Sequence, residues 1–208
     1  MLDKHLHPRV KPGLNRLAAL LDRPGVSPDG LTLVGFAVGV LALPFLALGW
    51  YGAALAAIAI NRLMDGLDGA LARRRGLSDA GGFLDIALDF LFYALVPFGF
   101  ILADPLHNAL PGSWLLFAFI GTGSSFLAFA ALAAKHQLDN PGYAHKSFYY
   151  LGGLTEGSET MLLFGLSCLF PALFTWFAWV FGALCWLTTF TRVWSGYVTL
   201  KGLETRQG

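Results

Sequence analysis

The sequence predicts an all-α integral membrane protein, a bundle of six transmembrane helices preceded by an N-terminal amphipathic surface helix. Three observations lead to this prediction. Hydrophobic residues make up 56% of the 208 residues and charged residues only 13%, with a mean hydropathy of +0.61. Several apolar stretches approach the roughly 20 residues that one spanning helix requires. Basic residues collect in alternate loops, as in loops that stay in the cytoplasm.

Residues 1–30 are predicted to form a cytoplasmic amphipathic helix followed by a turn. Residues 3–23 mix His, Lys and Arg with leucines at helical spacing, which is typical of a helix lying on the membrane surface. The segment has no apolar core of the kind that a cleavable secretory signal requires. Ser27-Pro28-Asp29-Gly30 then indicates a turn and a helix N-cap.

Apolar segments after this turn are predicted to form a transmembrane domain, residues 31–200, which leaves residues 201–208 as a cytoplasmic tail. The second segment becomes polar at its end and finishes at three consecutive arginines, and the fifth begins with a polar stretch. In order, the segments are residues 31–51, 51–72, 81–103, 114–134, 153–170 and 172–193.

Loop charges give this layout its orientation. Lys and Arg precede the first segment and follow the second, fourth and sixth, whereas the loops near Trp50, residues 104–112 and Pro171 contain neither. Since such residues stay on the cytoplasmic side, both termini of this multi-pass protein are predicted to be cytoplasmic.

Charge and cysteine content exclude other classes of protein. A formal net charge of +1, spread over several loops, does not suit a nucleic-acid partner. Cys168 and Cys185 lie inside apolar segments without the spacing of a zinc site, so we interpret both as packing residues.

Aspartates at helical spacing are the main candidates for chemistry. Asp65 and Asp68 are three residues apart near the end of the second segment, and Asp85 and Asp89 are four apart near the start of the third. Each pair projects from one helical face. The two helices are expected to run antiparallel, which turns both acidic faces toward each other.

This concentration of carboxylates predicts a metal site. Unpaired carboxylates would repel one another, and hard oxygen ligands favour Mg²⁺ or Mn²⁺; we expect two ions, roughly 3.5–4 Å apart. Arg73 would hold an anion, and Gly66 and Gly69 would let a ligand approach the helix. In the alternative interpretation, Arg62 and Arg73–Arg75 pair with one or two of the aspartates and no metal is needed.

The segment from Asp65 to Asp89 resembles the signature of the CDP-alcohol phosphatidyltransferase family, D-x-x-D-G-x-x-A-R-x8-G-x3-D-x3-D. Seven residues separate Arg73 from Gly81, where the usual pattern has eight. This departure affects the loop between the helices more than the two acidic pairs. The whole chain is similar to small inner-membrane members of enteric bacteria, which implies a location in the bacterial inner membrane. Its matches to the signature are Asp65, Asp68, Gly69, Ala72, Arg73, Gly81, Asp85 and Asp89.

The resemblance implies a role for each matching residue. The four aspartates would bind the metal, and Asp89 would also be the catalytic base. CDP-lipid contacts would come from Asp29, Thr32, Gly69, Ala72, Arg73 and Gly81, with Asp29 and Thr32 the less specific matches. It also implies a homodimer, a cytoplasmic active site, and transfer of a phosphatidyl group from a CDP-linked lipid such as CDP-diacylglycerol to an alcohol, with release of CMP.

The acceptor alcohol is predicted only by its polar surroundings. Glu156 and Glu159 begin the fifth segment and would either bind an amine-bearing acceptor or pair with nearby basic residues. Lys135, Lys146 and Arg192 would instead receive the phosphate of an acceptor such as glycerol phosphate or inositol phosphate.

Two other functions fit parts of the pattern. Carboxylates within spans also act as proton or ion relays in transporters, although no internal repeat is evident here and the acids cluster near one surface. An aspartate-rich membrane prenyltransferase would also hold a diphosphate through Mg²⁺, but the D-G-x-x-A-R string and the few spans disfavour it.

Overall fold

The computed structural model describes residues 3–136 and 154–207. These ranges contain eight α-helices and one 3₁₀ turn, joined by short loops. All regular structure within these ranges is helical. The helices are α1 (Asp3–Leu21), α2 (Pro28–Val40), α3 (Ala42–Ala47), α4 (Tyr51–Arg75), α5 (Asp79–Ala103), α6 (Pro105–Lys135), α7 (Gly157–Leu169) and α8 (Phe174–Gln207), with the 3₁₀ turn at Pro171–Leu173.

Four helical stretches within the described ranges are long and apolar enough to cross a membrane. The other two predicted spans correspond to α4, which carries the aspartates and three terminal arginines, and to α7, which has 13 residues. The six-span count therefore stays a prediction. The four candidate spans are Pro28–Ala47, Asp79–Ala103, Pro105–Lys135 and Pro171–Leu203.

Several predicted element bounds were wrong. The first predicted span is interrupted at Leu41, which separates α2 from α3. The helix predicted to begin near residue 114 begins at Pro105, because Asp104 accepts a hydrogen bond from the His107 backbone and proline fits the first helical turn. The last helix continues to Gln207, well beyond the predicted end at residue 193.

The N-terminal segment is helical, as predicted, and packs against α4. Ala18 is fully buried, and a Cβ at Gly66 of α4 would lie 2.9 Å from Leu14 Cδ1. Leu20 is 64% exposed, so part of the leucine face points away from the bundle. Its position on a membrane surface stays a prediction, as does the division at residues 30 and 200.

Aromatic side chains fill the core between the later helices. Phe92 and Phe100 of α5, Phe164 of α7 and Phe174 of α8 are all at most 1% exposed. The rings of Phe100 and Phe174 stack with centroids 4.3 Å apart and an interplanar angle of 8°. This stack fixes the end of the bundle opposite the aspartates.

The outer surface of the helices is apolar as well. Phe83, Ile120, Trp176 and Phe190 are each at least 67% exposed. A water-soluble monomer rarely exposes so many large apolar side chains. This surface suits contact with lipid acyl chains.

Small residues let α2 approach α4 closely beside the acidic site. A Cβ at Gly35 would lie 2.9 Å from Met64 Cβ, and one at Gly39 would lie 2.9 Å from Asn61 Nδ2. Asn61 donates a hydrogen bond from Nδ2 to the Gly35 carbonyl at 3.0 Å. This contact sets the depth at which the polar start of α2 meets the aspartates of α4.

Candidate active site

The helices α4 and α5 bring three aspartates together. One carboxylate oxygen from each of Asp65, Asp68 and Asp85 lies within 4.8 Å of the other two. The connection between the helices turns at Gly76, whose φ of +106° favours glycine. Ser78 then caps α5 by accepting a hydrogen bond from the Gly81 backbone at 3.0 Å. The shorter loop therefore still juxtaposes residues of both acidic pairs.

This arrangement fits a hard divalent cation. Oxygens on opposite sides of Mg²⁺ lie about 4.2 Å apart, because each Mg–O distance is about 2.1 Å. Three carboxylate oxygens within 4.8 Å of one another need only a small side-chain shift to share one such ion. Among the described residues Asp89 is not part of this group, so the ligand set of four aspartates stays a prediction.

Asp89 is paired with an arginine instead. Its Oδ1 lies 2.6 Å from Arg62 Nη2, and Arg62 Nη1 lies 3.6 Å from Asp65 Oδ2. The structural pairing considered for Arg62 therefore occurs for two of the four aspartates. This pairing with Arg62 does not account for the positions of Asp68 and Asp85.

Thr32 of α2 contacts the cluster directly. Its hydroxyl donates a hydrogen bond to Asp68 Oδ2 at 2.5 Å, and the Asp68 side chain is almost fully buried, at 4% exposed. The sequence assigned Thr32 to the CDP-lipid, but the structure shows that it also orients a predicted metal ligand.

A cavity of about 960 Å³ opens beside the aspartates. Its walls come from α2, α4, α5, α6, α7 and α8, and it includes Arg62 and all four aspartates. This volume is at the upper end of ordinary ligand sites. The six residues predicted to contact the CDP-lipid all line it, namely Asp29, Thr32, Gly69, Ala72, Arg73 and Gly81.

Three glycines of this region have different surroundings. A Cβ at Gly69 would lie 3.3 Å from Arg73 Nη1, so the arginine head lies over the glycine. A Cβ at Gly81 would lie 2.9 Å from Asp29 Oδ1, so this glycine lets α5 approach the first turn of α2. Gly66 faces Leu14 of α1, which makes it a helix-packing residue and corrects its predicted role beside a ligand.

The predicted acceptor residues separate into two groups. Glu156 and Arg192, both only 7% exposed, line the cavity, whereas Glu159 and the exposed Lys135 are not among its lining residues. Glu156 and Glu159 form a reciprocal capping box at the start of α7, in which each side chain accepts a backbone hydrogen bond. Lys146 lies outside the described residues.

Arg192 projects from α8 toward α6. Its Nη1 donates to the Thr122 carbonyl at 3.3 Å, and its guanidinium carbon lies 5.7 Å from the centre of the Phe126 ring. Thr122 and Phe126 line the same cavity, and the sequence analysis did not identify either. Their apolar surroundings in the sequence gave no sign that α6 contributes to the site.

Residues 26–194 match the sequence profile of the family described as CDP-alcohol phosphatidyltransferase. The chain belongs to the CDP-alcohol phosphatidyltransferase family. It is an enzyme of that transferase class, which confirms the prediction made from the aspartate signature. This membership favours the transferase over the transporter and prenyltransferase alternatives.

Relatives extend this CDP-alcohol phosphatidyltransferase assignment over nearly the whole chain. The chain is 81% identical over 204 residues to "Inner membrane protein YnjF" of Escherichia coli strain K12, covering 98% of this chain and 99% of that protein. It is 30% identical over 205 residues to the archaetidylinositol phosphate synthase of Pyrococcus horikoshii, again covering 98% and 99%. With its apolar helices, the protein is a multi-pass inner-membrane protein.

Solved structures share the fold of this family member. The phosphatidylinositol phosphate synthase PgsA1 of Mycobacterium tuberculosis with CDP-DAG bound superposes with a TM-score of 0.67 at 23% identity, covering 88% of this chain and 93% of that one. The same enzyme in complex with manganese and citrate gives a TM-score of 0.68 at 23% identity, covering 88% of both chains.

Proposed function

We propose that the protein transfers a phosphatidyl group from CDP-diacylglycerol to the hydroxyl of an alcohol that carries a phosphate, with release of CMP. One observation carries this proposal. A single cavity contains the aspartate cluster, the residues that match the CDP-lipid positions of the family, and the nearly buried Arg192. The site thus offers a place for a metal, a nucleotide lipid and an additional anion.

The donor would lie across the ends of α2, α4 and α5. Gly69, Ala72 and Arg73 occupy one wall of the cavity, and Asp29 and Gly81 meet where α2 and α5 begin. Arg73 supplies a positive charge beside the glycine that it covers, which suits an anionic diphosphate. We propose that these residues and Thr32 contact the CDP moiety.

Asp65, Asp68 and Asp85 would hold the metal, and we propose that Asp89 completes the ligand set. Oxygen ligands without His or Cys favour Mg²⁺ or Mn²⁺, and the working site would hold two ions. When bound, the metal neutralises charge on the diphosphate and on the departing CMP.

The transfer step requires a base for the acceptor hydroxyl. The alcohol oxygen attacks the phosphorus on the lipid side of the diphosphate, the bond from that phosphorus to the bridging oxygen breaks, and CMP leaves. Asp89 would accept the proton of the alcohol. A carboxylate accepts several hydrogen bonds through two oxygens, so Asp89 can serve as this base whether or not Arg62 still contacts its Oδ1.

The surroundings of Arg192 favour a phosphate on the acceptor over an amine. Arg192 lines the cavity with a guanidinium that also donates to the Thr122 carbonyl, and a guanidinium can bind phosphate through two parallel hydrogen bonds. Glu156 and Glu159 instead form the capping box of α7. A similar protein, 30% identical, is named archaetidylinositol phosphate synthase, which also suits an inositol phosphate acceptor. Lys135, which is exposed outside the cavity lining, would then attract such anions toward the site, while Lys146 stays a candidate from the sequence alone.

The proposal includes an orientation and an assembly. The basic loops of the sequence favour cytoplasmic termini and an active site facing the cytoplasm, where CDP-lipids and phosphorylated alcohols would meet. A homodimer is proposed on the family resemblance.

The test is CMP release by the purified protein, supplied with CDP-diacylglycerol, Mg²⁺ and one alcohol at a time. The panel contains inositol phosphate, glycerol 3-phosphate, inositol, glycerol, serine, choline and ethanolamine phospholipid. We expect release with a phosphate-bearing alcohol and none with its unphosphorylated counterpart. Asp89→Asn should abolish it.

A matched pair of variants tests the acceptor site. Arg192→Met should raise the KM for the acceptor. Lys201→Met should not, because Lys201 is the next basic residue of α8 and is exposed. Release with serine or choline alone would refute the phosphate-bearing acceptor, and no release with any alcohol would refute the proposed reaction.

A further inference from the structure

Arg62 lies among the aspartates at a position outside the family signature. It is three residues before Asp65 on α4, and its side chain is 18% exposed. It contacts Asp89 Oδ1 at 2.6 Å across the gap to α5 and Asp65 Oδ2 at 3.6 Å on its own helix. A permanent positive charge thus stands inside a site that is expected to hold cations.

The guanidinium of Arg62 is held on several sides. Its Nε donates a hydrogen bond to Asn61 Oδ1 at 2.9 Å, and Asn61 is in turn fixed by the Gly35 carbonyl. The guanidinium carbon lies 5.0 Å from the centre of the Phe92 ring and 5.7 Å from that of Tyr93. These contacts fix the position of the positive charge of Arg62, because each restricts a different part of the planar guanidinium.

The contact with Arg62 separates one of the four carboxylates from the other three. Asp65, Asp68 and Asp85 approach one another within 4.8 Å, while Asp89 is bound to Arg62. All four, with Arg62 and Asn61, line one small recess. A second ion would need Asp89 as a ligand and would stand close to the guanidinium, where like charges repel.

We propose that Arg62 is a positioning residue that holds Asp89 apart from the other three aspartates and limits the donor-free protein to one divalent cation. This inference rests on the metal centre of the proposed function and adds the order in which it fills. The second ion enters only when Asp89 is released from Arg62.

The experiment counts bound Mn²⁺ by electron paramagnetic resonance, on detergent-purified protein without CDP-lipid or alcohol. The native protein should bind one ion per chain. Arg62→Met should bind two, with the spectrum of a magnetically coupled pair about 3.5–4 Å apart. Arg62→Lys, which keeps the charge, should return to one.

Two controls separate this effect from a general loss of positive charge. Arg74→Met removes the same charge from the same helix at a residue that contacts Asp22, and it should still bind one ion. Combining Arg62→Met with Asp89→Asn should also return the count to one, because the released ligand is then missing.

Each result decides the inference. Two ions bound by the native protein, or one ion bound by Arg62→Met, would overturn the role of Arg62 while leaving the metal centre in place. No bound Mn²⁺ in the native protein would overturn the metal centre and this inference together. The native count needs no variant, so a folding defect of Arg62→Met does not remove the test.

Discussion

The hydrogen bond from Thr32 to Asp68 joins two helices through a single side-chain contact. It spans 36 positions of sequence and measures 2.5 Å. The Thr32 hydroxyl oxygen also lies 3.1 Å from the Pro28 carbonyl of its own helix, so its one proton is shared between two acceptors. The orientation of Asp68 thus depends on the position of α2 as well as on its own helix.

Replacing Thr32 with Val keeps the shape of the side chain and removes this hydrogen bond. Bonds to charged groups contribute about 1.5–3 kcal/mol, so Thr32→Val should reduce CMP release roughly tenfold to a hundredfold. Thr32→Ser retains a hydroxyl and should keep most activity. Equal rates in the Val variant and the native enzyme would show that Asp68 does not need this donor.

Gly81 and its neighbour Gly82 form a matched pair at the start of α5. A Cβ at Gly81 would lie 2.9 Å from both Asp29 Oδ1 and Ser78 Oγ, whereas a Cβ at Gly82 meets nothing within 4 Å. Gly81→Ala should therefore destabilise the protein by about 1–3 kcal/mol and raise the KM for CDP-diacylglycerol. Gly82→Ala should preserve stability, since alanine favours helix over glycine.

Thermal unfolding and donor titration of both glycine variants measure these effects. A Gly81→Ala protein with native stability and native KM would mean that α2 and α5 separate easily here. The contact between the two helix starts would then not shape the donor site.

At the scale of elements, a clasp joins the turn after α1 to the end of α4. Arg75 donates hydrogen bonds to Asp22 Oδ1 at 2.8 Å, to the Arg23 carbonyl at 3.0 Å and to the Val26 carbonyl. Arg74 reaches Asp22 Oδ2 at 3.3 Å. Since α2 begins directly after this turn, the clasp helps to position Asp29 and Thr32.

The clasp should depend on pH in a defined direction. Hydrogen bonds from Arg75 and Arg74 hold the pKa of Asp22 below its ordinary value of 3.8. A carboxyl with a lowered folded-state pKa stabilises the fold above its unfolded pKa, and this contribution is lost as pH falls through the folded pKa. The stability difference between the native protein and Asp22→Asn should stay constant from about pH 8 to pH 5 and shrink below about pH 4.

Melting temperatures across this range provide the measurement, with Arg75→Gln as the background that removes the main partner. In that background the Asp22→Asn change should have a smaller effect. A stability difference that is the same at every pH would show that Asp22 acts through contacts other than charge.

The sequence predicted those parts of the site that depend on local spacing. Asp65 and Asp68 share a helical face because they are three residues apart, and the short loop after Arg75 brings Asp85 opposite them. The bond between Thr32 and Asp68 could not be predicted, because it depends on how closely Gly35 and Gly39 allow α2 to approach α4.

Helix ends, too, could be predicted only where the local sequence determines them. Ser27 and Ser78 cap helices where local sequence places them, but α6 begins before, and α8 ends after, the apolar segment that predicted it. The partner of Asp89 was the least predictable feature, since several arginines were available and the choice of Arg62 depends on its contacts with Asn61, Phe92 and Tyr93.

At the scale of the whole molecule, polar chemistry lies at one end of the bundle and the aromatic core at the other. The aspartates, the basic end of α4 and the clasp share the first end, and the Phe100–Phe174 stack and the turn at Asp104 share the second. If basic ends stay in the cytoplasm, the turn at Asp104 faces the periplasm.

Site-specific labelling tests this orientation, because the two native cysteines are buried, at 5% and 1% exposed. Leu106 follows the Asp104 turn and is 88% exposed, and Lys201 is exposed near the end of α8. In intact cells a membrane-impermeant maleimide should label Leu106→Cys and not Lys201→Cys, and both should react after permeabilisation. The unsubstituted protein controls for Cys168 and Cys185. Labelling of Lys201→Cys in intact cells would place the aspartates outside, away from the cytoplasmic pool of nucleotide donors, and would contradict the proposed orientation.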